Sequence, residues 1–154
     1  METLGRYDRI DLPDLGLYNL HAKIDTGAFT SSLHCARAEV VNGCLEFVLL
    51  DEEHPEFTGM KFVFREYDER DIKNSFGETE RRYLIKTSVV IFGQRIETEF
   101  SLSDRGSLKF PILLGRKILR DRFVIDVKKK NLSYKHKLAQ KKKAGKVGSS
   151  HTHS

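Results

Sequence analysis

The chain has no Trp, only three Pro and only two Cys among its 154 residues. Cys35 and Cys44 form neither a CxxC pair nor a metal-ligand spacing, which favours two reduced thiols in a cytoplasmic protein. Long hydrophobic runs are also missing. The longest, such as Phe110–Leu114, fall far short of the roughly 18 residues that a transmembrane helix needs. The N-terminus has no apolar stretch, so we predict neither a secretory signal nor membrane association.

Acidic residues are absent from the C-terminal part of the chain. Residues 127–154 contain nine lysines and no Asp or Glu, whereas the rest carries 18 Lys and Arg against 22 Asp and Glu. The high isoelectric point therefore belongs to this basic segment. We predict one folded domain over residues 1–134 and a basic, disordered tail over residues 135–154. Such a tail suits binding to RNA, the ribosome surface or an acidic partner, or it simply keeps the protein soluble.

Short β-rich runs separated by turn signals dominate the folded part, and helical periodicity is scarce. Asn42-Gly43 and Gly93-Gln94 each lie between two strand-like runs and predict hairpins. Residues 116–122 fit one or two helical turns, and Phe123–Val127 with Asn131–Tyr134 fits a last hairpin. We therefore predict a mostly β fold with a small barrel or sandwich core and one short helix near the C-terminal end.

The tetrapeptide Asp25-Thr26-Gly27-Ala28 follows an apolar strand and precedes a hydroxyl-rich stretch. Three residues such as Asp-Thr-Gly recur often by chance, and the motif also fits a strand that ends in a polar turn. A second element, Phe110-Pro-Ile-Leu-Leu-Gly-Arg116, favours a catalytic interpretation. An apolar strand ending in Leu-Leu-Gly before a short helix is the other half of the aspartic-peptidase pattern.

These stretches resemble the retroviral-type aspartic proteases, and most closely the RimB-like family of retropepsin-like peptidases, which also carries the older label of ATP-dependent zinc proteases. The matching segments, in chain order, are residues 22–28, 31–34, 80–82, 100–105 and 110–116. The resemblance implies a closed β-barrel of the acid-protease type. It also implies that Asp25 is the catalytic carboxylate, with no cofactor and no metal.

The resemblance implies roles for the neighbours of Asp25 as well. Thr26 would join the two catalytic loops of a dimer by hydroxyl hydrogen bonds, and Gly27 and Ala28 would let the substrate backbone approach. Four residues would pack under the catalytic loop and support it: Leu113, Leu114, Gly115 and Arg116. Phe29 departs from the pattern, because retroviral enzymes have an acid there that pairs with the arginine matching Arg116. Arg116 must therefore find another partner, or the dimer contact is built differently.

Peptide hydrolysis by this chemistry needs two carboxylates that share one proton, one acting on water and the other on the carbonyl oxygen. Two like charges about 3 Å apart cannot both ionise easily, so the pair holds a single proton. The chain has one Asp-Thr-Gly and no internal repeat. A working site therefore requires a homodimer in which Asp25 meets its own copy.

The segment Asp71–Tyr83 has a turn-forming centre between two strand-like arms, with Gly77 near its tip. It fits a mobile hairpin that closes over substrate, or equally an exposed loop. Side chains alternate along a strand, so Lys23 projects to the same face as Asp25. Three further cations flank the expected cleft and complete the predicted substrate-binding set: Arg81 and Arg82 on the hairpin, and Arg105.

Several cations in one cleft favour acidic peptides. The family resemblance points the same way, because its members are associated with RimK-like enzymes that add glutamates to protein tails. We therefore expect an acidic or oligoglutamate-extended substrate and a RimK-like glutamate ligase or the ribosome as partner. Lys23 also fits a simple ion pair with a nearby acid. Substituting Lys23→Glu should weaken cleavage of Glu-rich peptides more than that of neutral ones.

Two alternatives belong to other classes of protein. A zinc peptidase needs three protein ligands, but the histidines are scattered and the best set is His34 and Cys35 with Cys44. A non-catalytic binding module would use a degenerate protease fold and dock on RNA, the ribosome or a glutamate ligase. The intact Asp25-Thr26-Gly27 argues against degeneracy.

Overall fold

The computed structural model of the protein describes residues 1–73, 76–103 and 110–152, with side chains described as far as residue 145. Within these ranges the strands are β1 (Glu2–Leu4), β2 (Tyr7–Leu12), β3 (Leu17–Ile24), β4 (Ser31–Val41), β5 (Cys44–Leu49), β6 (Lys61–Phe64), β7 (Asp68–Lys73), β8 (Thr79–Ile91), β9 (Gln94–Ser103), β10 (Ile112–Leu114) and β11 (Phe123–Ile125), and the helices are α1 (Arg116–Leu119) and α2 (Leu132–Thr152). No helix in the described part of the chain combines the length and hydrophobicity that crossing a bilayer requires.

Six strands close into a barrel in the order β10–β3–β2–β8–β9–β4. The barrel closes because β10 pairs in parallel with β3 and antiparallel with β4. Alternate residues of these strands point inwards, as the two-residue period of a strand requires. Leu20, Leu33, Ile85, Phe100 and Ile112 are at most 1% exposed and belong to the core. The predicted closed, mostly β architecture is thus confirmed.

Strand β10 lies between two strands that are consecutive in the sequence, β3 and β4. The connection between them, residues 25–30, must therefore pass the carboxyl end of β10. At that end the Asp25 amide donates to the carbonyl oxygen of Leu114 (2.9 Å), whereas at the amino end of β10 the His34 amide donates to that of Pro111 (2.8 Å). This topology brings the Asp-Thr-Gly segment and the Leu-Leu-Gly segment together.

The two predicted hairpins form, and one turn is shifted by a residue. Asn42 and Gly43 both have positive φ, 52° and 78°, as a tight two-residue turn between twisted strands requires. In the second hairpin the central residues are Phe92 and Gly93, with φ of 51° and 71°, and not Gly93-Gln94. Gln94 already pairs with Ile91 in the ladder, so Gly93 takes the second turn position.

The C-terminal part differs from the prediction. Strand β11 pairs in parallel with β1, and Asn131–Tyr134 does not form the other arm of a hairpin. Asn131 has a φ of 58° and ends the extended path, after which α2 begins at Leu132. Residues 135–152, expected to be a disordered tail, lie in α2, which is rich in Lys, a good helix former, and has no Pro. The fold therefore has a second, longer helix beside the one predicted.

Asp8 attaches α2 to the barrel. Its fully buried carboxylate accepts hydrogen bonds from the backbone amides of Ser133 (2.9 Å) and Tyr134 (3.0 Å), two N–H groups of the first turn. Burial raises the pKa of the Asp8 carboxyl above its ordinary value, although these hydrogen bonds act in the opposite direction. A distant side chain thus supplies the cap that the local sequence does not.

Replacing Asp8 by Ala should destabilise the fold, because two amide groups at the start of α2 lose their acceptor. We expect the free energy of unfolding in urea to fall by about 2–3 kcal/mol. Asp14→Ala is the matched control, since Asp14 is exposed and pairs with Arg95 at the surface (2.8 Å). The control should leave the urea midpoint nearly unchanged. Equal destabilisation by both variants would contradict the capping role.

Candidate active site

The segment that follows β3 holds Asp25 in a tight loop. Besides its amide bond to Leu114, Asp25 accepts a hydrogen bond from the Gly27 amide at Oδ1 (3.0 Å) and one from the Ala28 amide at its carbonyl oxygen (3.3 Å). The carboxylate is therefore oriented by its own loop. Asp25 is half-buried, whereas Thr26 and Gly27 are exposed. The loop presents its carboxylate and the two following residues at the surface of a single chain.

The residues that follow β10 pack against this loop and form hydrogen bonds with it. The Gly115 amide donates to Ser31 Oγ (3.0 Å), and the Arg116 amide donates to the carbonyl oxygen of Ala28 (2.8 Å). A Cβ atom on Gly115 would lie 2.7 Å from the carbonyl oxygen of Phe29 and 2.9 Å from that of Ala28. Only glycine allows the two segments to approach this closely. Leu114 is fully buried and Leu113 is partly buried. Their role in supporting the loop stays a prediction.

Arg116 has partners that suit the presence of Phe29 in place of an acid. Its Nη1 donates to the carbonyl oxygen of Thr26 (2.9 Å), and its guanidinium carbon lies 5.8 Å from the centre of the Phe29 ring. A guanidinium over an aromatic face is attracted by the ring's quadrupole. Arg116 thus contacts the Asp25 loop through a backbone carbonyl and an aromatic ring.

Lys23 lies two residues before Asp25 on the outer side of β3. Its neighbours Ala22 and Ile24 are buried, whereas Lys23 is exposed. It is paired across the sheet with Leu113 on one side and Tyr7 on the other. Among the described residues Lys23 takes part in no ion pair. The expected simple ion pair with a nearby acid is therefore not seen in the part of the chain described.

Strands β7 and β8 pair as a hairpin, one of the two structures that the segment Asp71–Tyr83 fits, and Gly77 has a φ of 78° between them. The arginines of this hairpin have carboxylate partners on the hairpin itself. Arg81 Nε lies 3.2 Å from Glu69, and Arg82 Nη2 lies 2.9 Å from Glu80. No described contact joins either arginine to the Asp25 loop. Arg105, the other predicted cation, lies outside the described residues.

Comparison with known proteins places this site in a family. A sequence model described as RimB-like, the retropepsin-like aspartic endopeptidase RimB, matches residues 3–136. The chain belongs to the RimB-like family. The matched range contains both the Asp-Thr-Gly loop and the β10 segment that supports it.

Curated relatives of the chain are named as probable glutamate ligases and not as peptidases. It is 33% identical over 129 residues to a probable alpha-L-glutamate ligase of Desulfotalea psychrophila and 32% identical over 127 residues to one of Shewanella pealeana. These matches cover 81% and 80% of this chain, and the chain spans only 28% of each of these curated relatives. A crystal structure of a Legionella pneumophila protein of unknown function aligns with a TM-score of 0.68 at 22% identity, over 86% of this chain and 98% of that one. This last likeness shows the fold.

The sequence motifs do not reveal one feature of this RimB-like chain, the buried carboxylate of Glu99. Arg70 of β7 binds both of its oxygens (2.8 and 3.1 Å), and Lys117 of α1 lies 3.4 Å away. Glu99 is only 4% exposed. The base of the hairpin is thereby joined to the helix that begins directly after Gly115. The sequence around Glu99 does not indicate that Arg70 and Lys117, which are distant in the chain, form ion pairs with it.

His34 is not arranged as a metal ligand with the two cysteines. Its Nε2 lies 2.9 Å from Asp51 Oδ2, and this hydrogen bond lowers the pKa of the Asp51 carboxyl. Among the side chains of residues 1–73, 76–103 and 110–145, no group of three His, Cys, Asp or Glu is arranged to hold a metal ion.

Proposed function

We propose that the protein is an aspartic endopeptidase that acts as a homodimer, with one Asp-Thr-Gly loop from each chain. The observation that carries the proposal is the loop geometry. Asp25 is oriented by the Gly27 amide, the loop is supported by Gly115 and Arg116, and its outer residues are exposed. A single chain provides one carboxylate, so a second copy must provide the other.

In the dimer, the two Asp25 carboxyls would share one proton. The ionised one takes a proton from water, and the water oxygen attacks the peptide carbonyl carbon. The protonated one gives its proton to the carbonyl oxygen, which yields a neutral tetrahedral diol. In the collapse of the diol, the carboxyl that is now protonated gives its proton to the amine nitrogen, and the carboxylate that is now ionised takes a proton from a diol hydroxyl. The C–N bond breaks, and the products are a carboxylic acid, an amine and a pair that again shares one proton. No cofactor enters this sequence.

The surface beside the loop supports pairing with a second copy. Phe29 is 51% exposed although it is aromatic. It borders an open cavity of about 420 Å³ whose other lining residues are Thr26, Arg116, Leu119, Arg120 and Phe123. A second chain whose Thr26 meets this one across a two-fold axis would cover the ring and bring the two carboxyls together.

The proposed substrates are acidic or oligoglutamate-extended protein tails. Lys23 supports this, as an exposed cation without a carboxylate partner among the described residues, on the strand that leads to Asp25. The names of the relatives point the same way, since they are probable glutamate ligases in which this domain forms 28% of the length. We infer that the protein works beside a RimK-like ligase and removes what such an enzyme adds.

The test is direct. A peptide that ends in six glutamates is incubated with the protein, and mass spectrometry follows the products while sedimentation velocity gives the oligomeric state. We expect shortened peptides and activity that rises with the dimer fraction. Full activity of a monomer, or no cleavage of any acidic peptide by the dimer, would overturn the proposal.

A binding module is the second candidate function. It is favoured by the small share of the relatives' length, 28%, that this chain covers. A domain that forms 28% of a glutamate ligase could serve to dock on the ligase, its ribosomal substrate or RNA. The lysines of α2 suit an acidic surface of this kind. If neither the wild type nor Asp25→Asn cleaves acidic peptides, and removal of residues 135–154 abolishes an interaction with ligase or RNA, the module is the function.

A further inference from the structure

Three cations surround the ring of Tyr7 at the start of β2. The guanidinium carbon of Arg6 lies 5.4 Å from the ring centre, and Lys130 Nζ lies 6.0 Å from it. Lys23 is the cross-strand partner of Tyr7, so the Cβ atoms of the two residues are about 5 Å apart. Phe110 packs on the same ring at 5.7 Å between centres. We call these three cations and two rings the Tyr7 patch.

Backbone hydrogen bonds, and not chance side-chain positions, hold this patch together. The Arg6 amide donates to the carbonyl oxygen of Lys129 (2.9 Å), and the Asn131 amide donates to that of Tyr7 (2.9 Å). Lys130 is therefore fixed from both sides. Gly5 is required here as well, because a Cβ atom would overlap the carbonyl oxygen of Lys129. The segment after β11 is thus laid along the start of β2.

No carboxylate among the described residues forms an ion pair with the cations of the patch. In the described part of the chain, Arg6, Lys23 and Lys130 take part in no ion pair. Arg81 and Arg82 on the hairpin differ in this respect, since each has a carboxylate partner. Burial raises the pKa of the Tyr7 hydroxyl, but Lys130 and Arg6 lower it more, so that it lies below its ordinary value. Like charges gathered in this way favour an anion from outside.

The patch lies beside the catalytic loop. The Ile24 amide donates to the carbonyl oxygen of Arg6 (3.0 Å), one residue before Asp25. Lys23 lies on the outer side of β3 and Asp25 follows the last residue of that strand, so the two residues are roughly 6–7 Å apart along an extended chain. A substrate residue close to the cleaved bond can therefore reach the cations while its peptide group lies at Asp25.

We propose that the Tyr7 patch is the subsite that recognises a glutamate side chain of the substrate, with Arg6 and Lys130 as specificity-determining residues beside Lys23. This inference rests on the proposed peptidase function and identifies the residues that would select acidic substrates. The carboxylate of the substrate binds between the cations, and its methylene groups lie on the two rings. The hairpin arginines, which already have acidic partners, are not the source of selectivity.

The experiment uses pairs of peptides that differ only by Glu or Gln at one position, scanned across the cleaved sequence. For Arg6→Gln/Lys130→Gln we expect the Glu-to-Gln ratio of kcat/KM to fall about tenfold or more at one position, with cleavage of the Gln peptide changed far less. Lys142→Gln/Lys143→Gln removes the same two charges from the exposed face of α2 and should leave the ratio unchanged. An unchanged ratio in the first double variant, or an equal fall in both, would overturn the proposal.

A binding measurement separates this proposal from the peptidase function. A fluorescent hexaglutamate peptide is titrated with wild type and both double variants, and anisotropy gives the affinity whether or not cleavage occurs. Weaker binding by Arg6→Gln/Lys130→Gln alone supports the patch even if no peptide is cleaved, and equal binding by all three overturns it. Lys23→Glu is an independent variant and should weaken binding at least as much. Circular dichroism confirms that each variant folds.

Discussion

Substituting Asp25→Asn should lower kcat/KM on a glutamate-extended peptide by at least about a thousandfold, while the protein still folds and dimerises. An amide can neither take the proton from water nor hold the proton that the pair shares. The loop itself should persist, because the Asn side-chain oxygen can accept the same bond from the Gly27 amide. The measurement is initial rate against peptide concentration, with sedimentation velocity on the same samples.

The control is Asp14→Asn, an exposed carboxylate in a surface ion pair with Arg95, which should retain full activity. Mixed dimers sharpen the test, since a pair that shares one proton needs both members. Tagged wild-type and Asp25→Asn chains are co-expressed, and dimers with one chain of each kind are purified. These mixed dimers should be as inactive as dimers in which both chains carry Asp25→Asn. Half the activity in mixed dimers would mean that each Asp25 acts alone.

The Asp-Thr-Gly loop and its support could be predicted because both come from short, strong local patterns. A strand that ends in Asp-Thr-Gly and another that ends in Leu-Leu-Gly need only the barrel topology to meet, and the pairing of β10 with β3 and β4 provides it. The hairpin at Asn42-Gly43 was predictable for the same reason. Turn residues with positive φ are chosen locally.

Other features depend on contacts between distant parts of the chain. The cap of α2 is Asp8, more than 120 residues away, so nothing near Leu132 marks the helix start. The lysines that suggested a disordered tail are also good helix formers, and charge alone does not separate the two outcomes. Lys130 meets Tyr7 only because the chain after β11 turns back along β2.

The hairpin arginines are a local sequence pattern whose charges have partners on the hairpin itself. Their role in substrate binding stays a prediction. Arg81 and Arg82 look like a cationic pair in the sequence. In the structure, Arg81 forms an ion pair with Glu69 on the neighbouring strand, and Arg82 forms one with Glu80, two residues before it. A free cation is recognised only when every neighbour is known. The Tyr7 patch combines Arg6 and Lys130 from separate segments of the chain. For this reason we propose it, and not Arg81 and Arg82, as the site that recognises the charge of the substrate.

Gly115→Ala should be the most damaging single-methyl change near the site. The backbone of Gly115 has a φ of −94° and a ψ of 179°, which alanine adopts easily, so the cost comes only from contact. The new Cβ would press on the carbonyl oxygens of Phe29 and Ala28, which cannot move without shifting the loop that holds Asp25. We expect a loss of about 2–4 kcal/mol in the free energy of unfolding and a fall in kcat of roughly a hundredfold.

Gly145→Ala is the matched control, because a Cβ there meets nothing within 4 Å and the residue lies in α2. It should leave activity unchanged and stabilise the helix slightly, since alanine loses less backbone entropy than glycine. Urea denaturation and steady-state kinetics on both variants separate the two effects. If Gly115→Ala were as stable and as active as Gly145→Ala, the close approach of β10 to the catalytic loop would not be what positions Asp25. The loop would then have to be positioned by its hydrogen bonds, from the Asp25 amide to Leu114 and from the amide and guanidinium of Arg116 to Ala28 and Thr26.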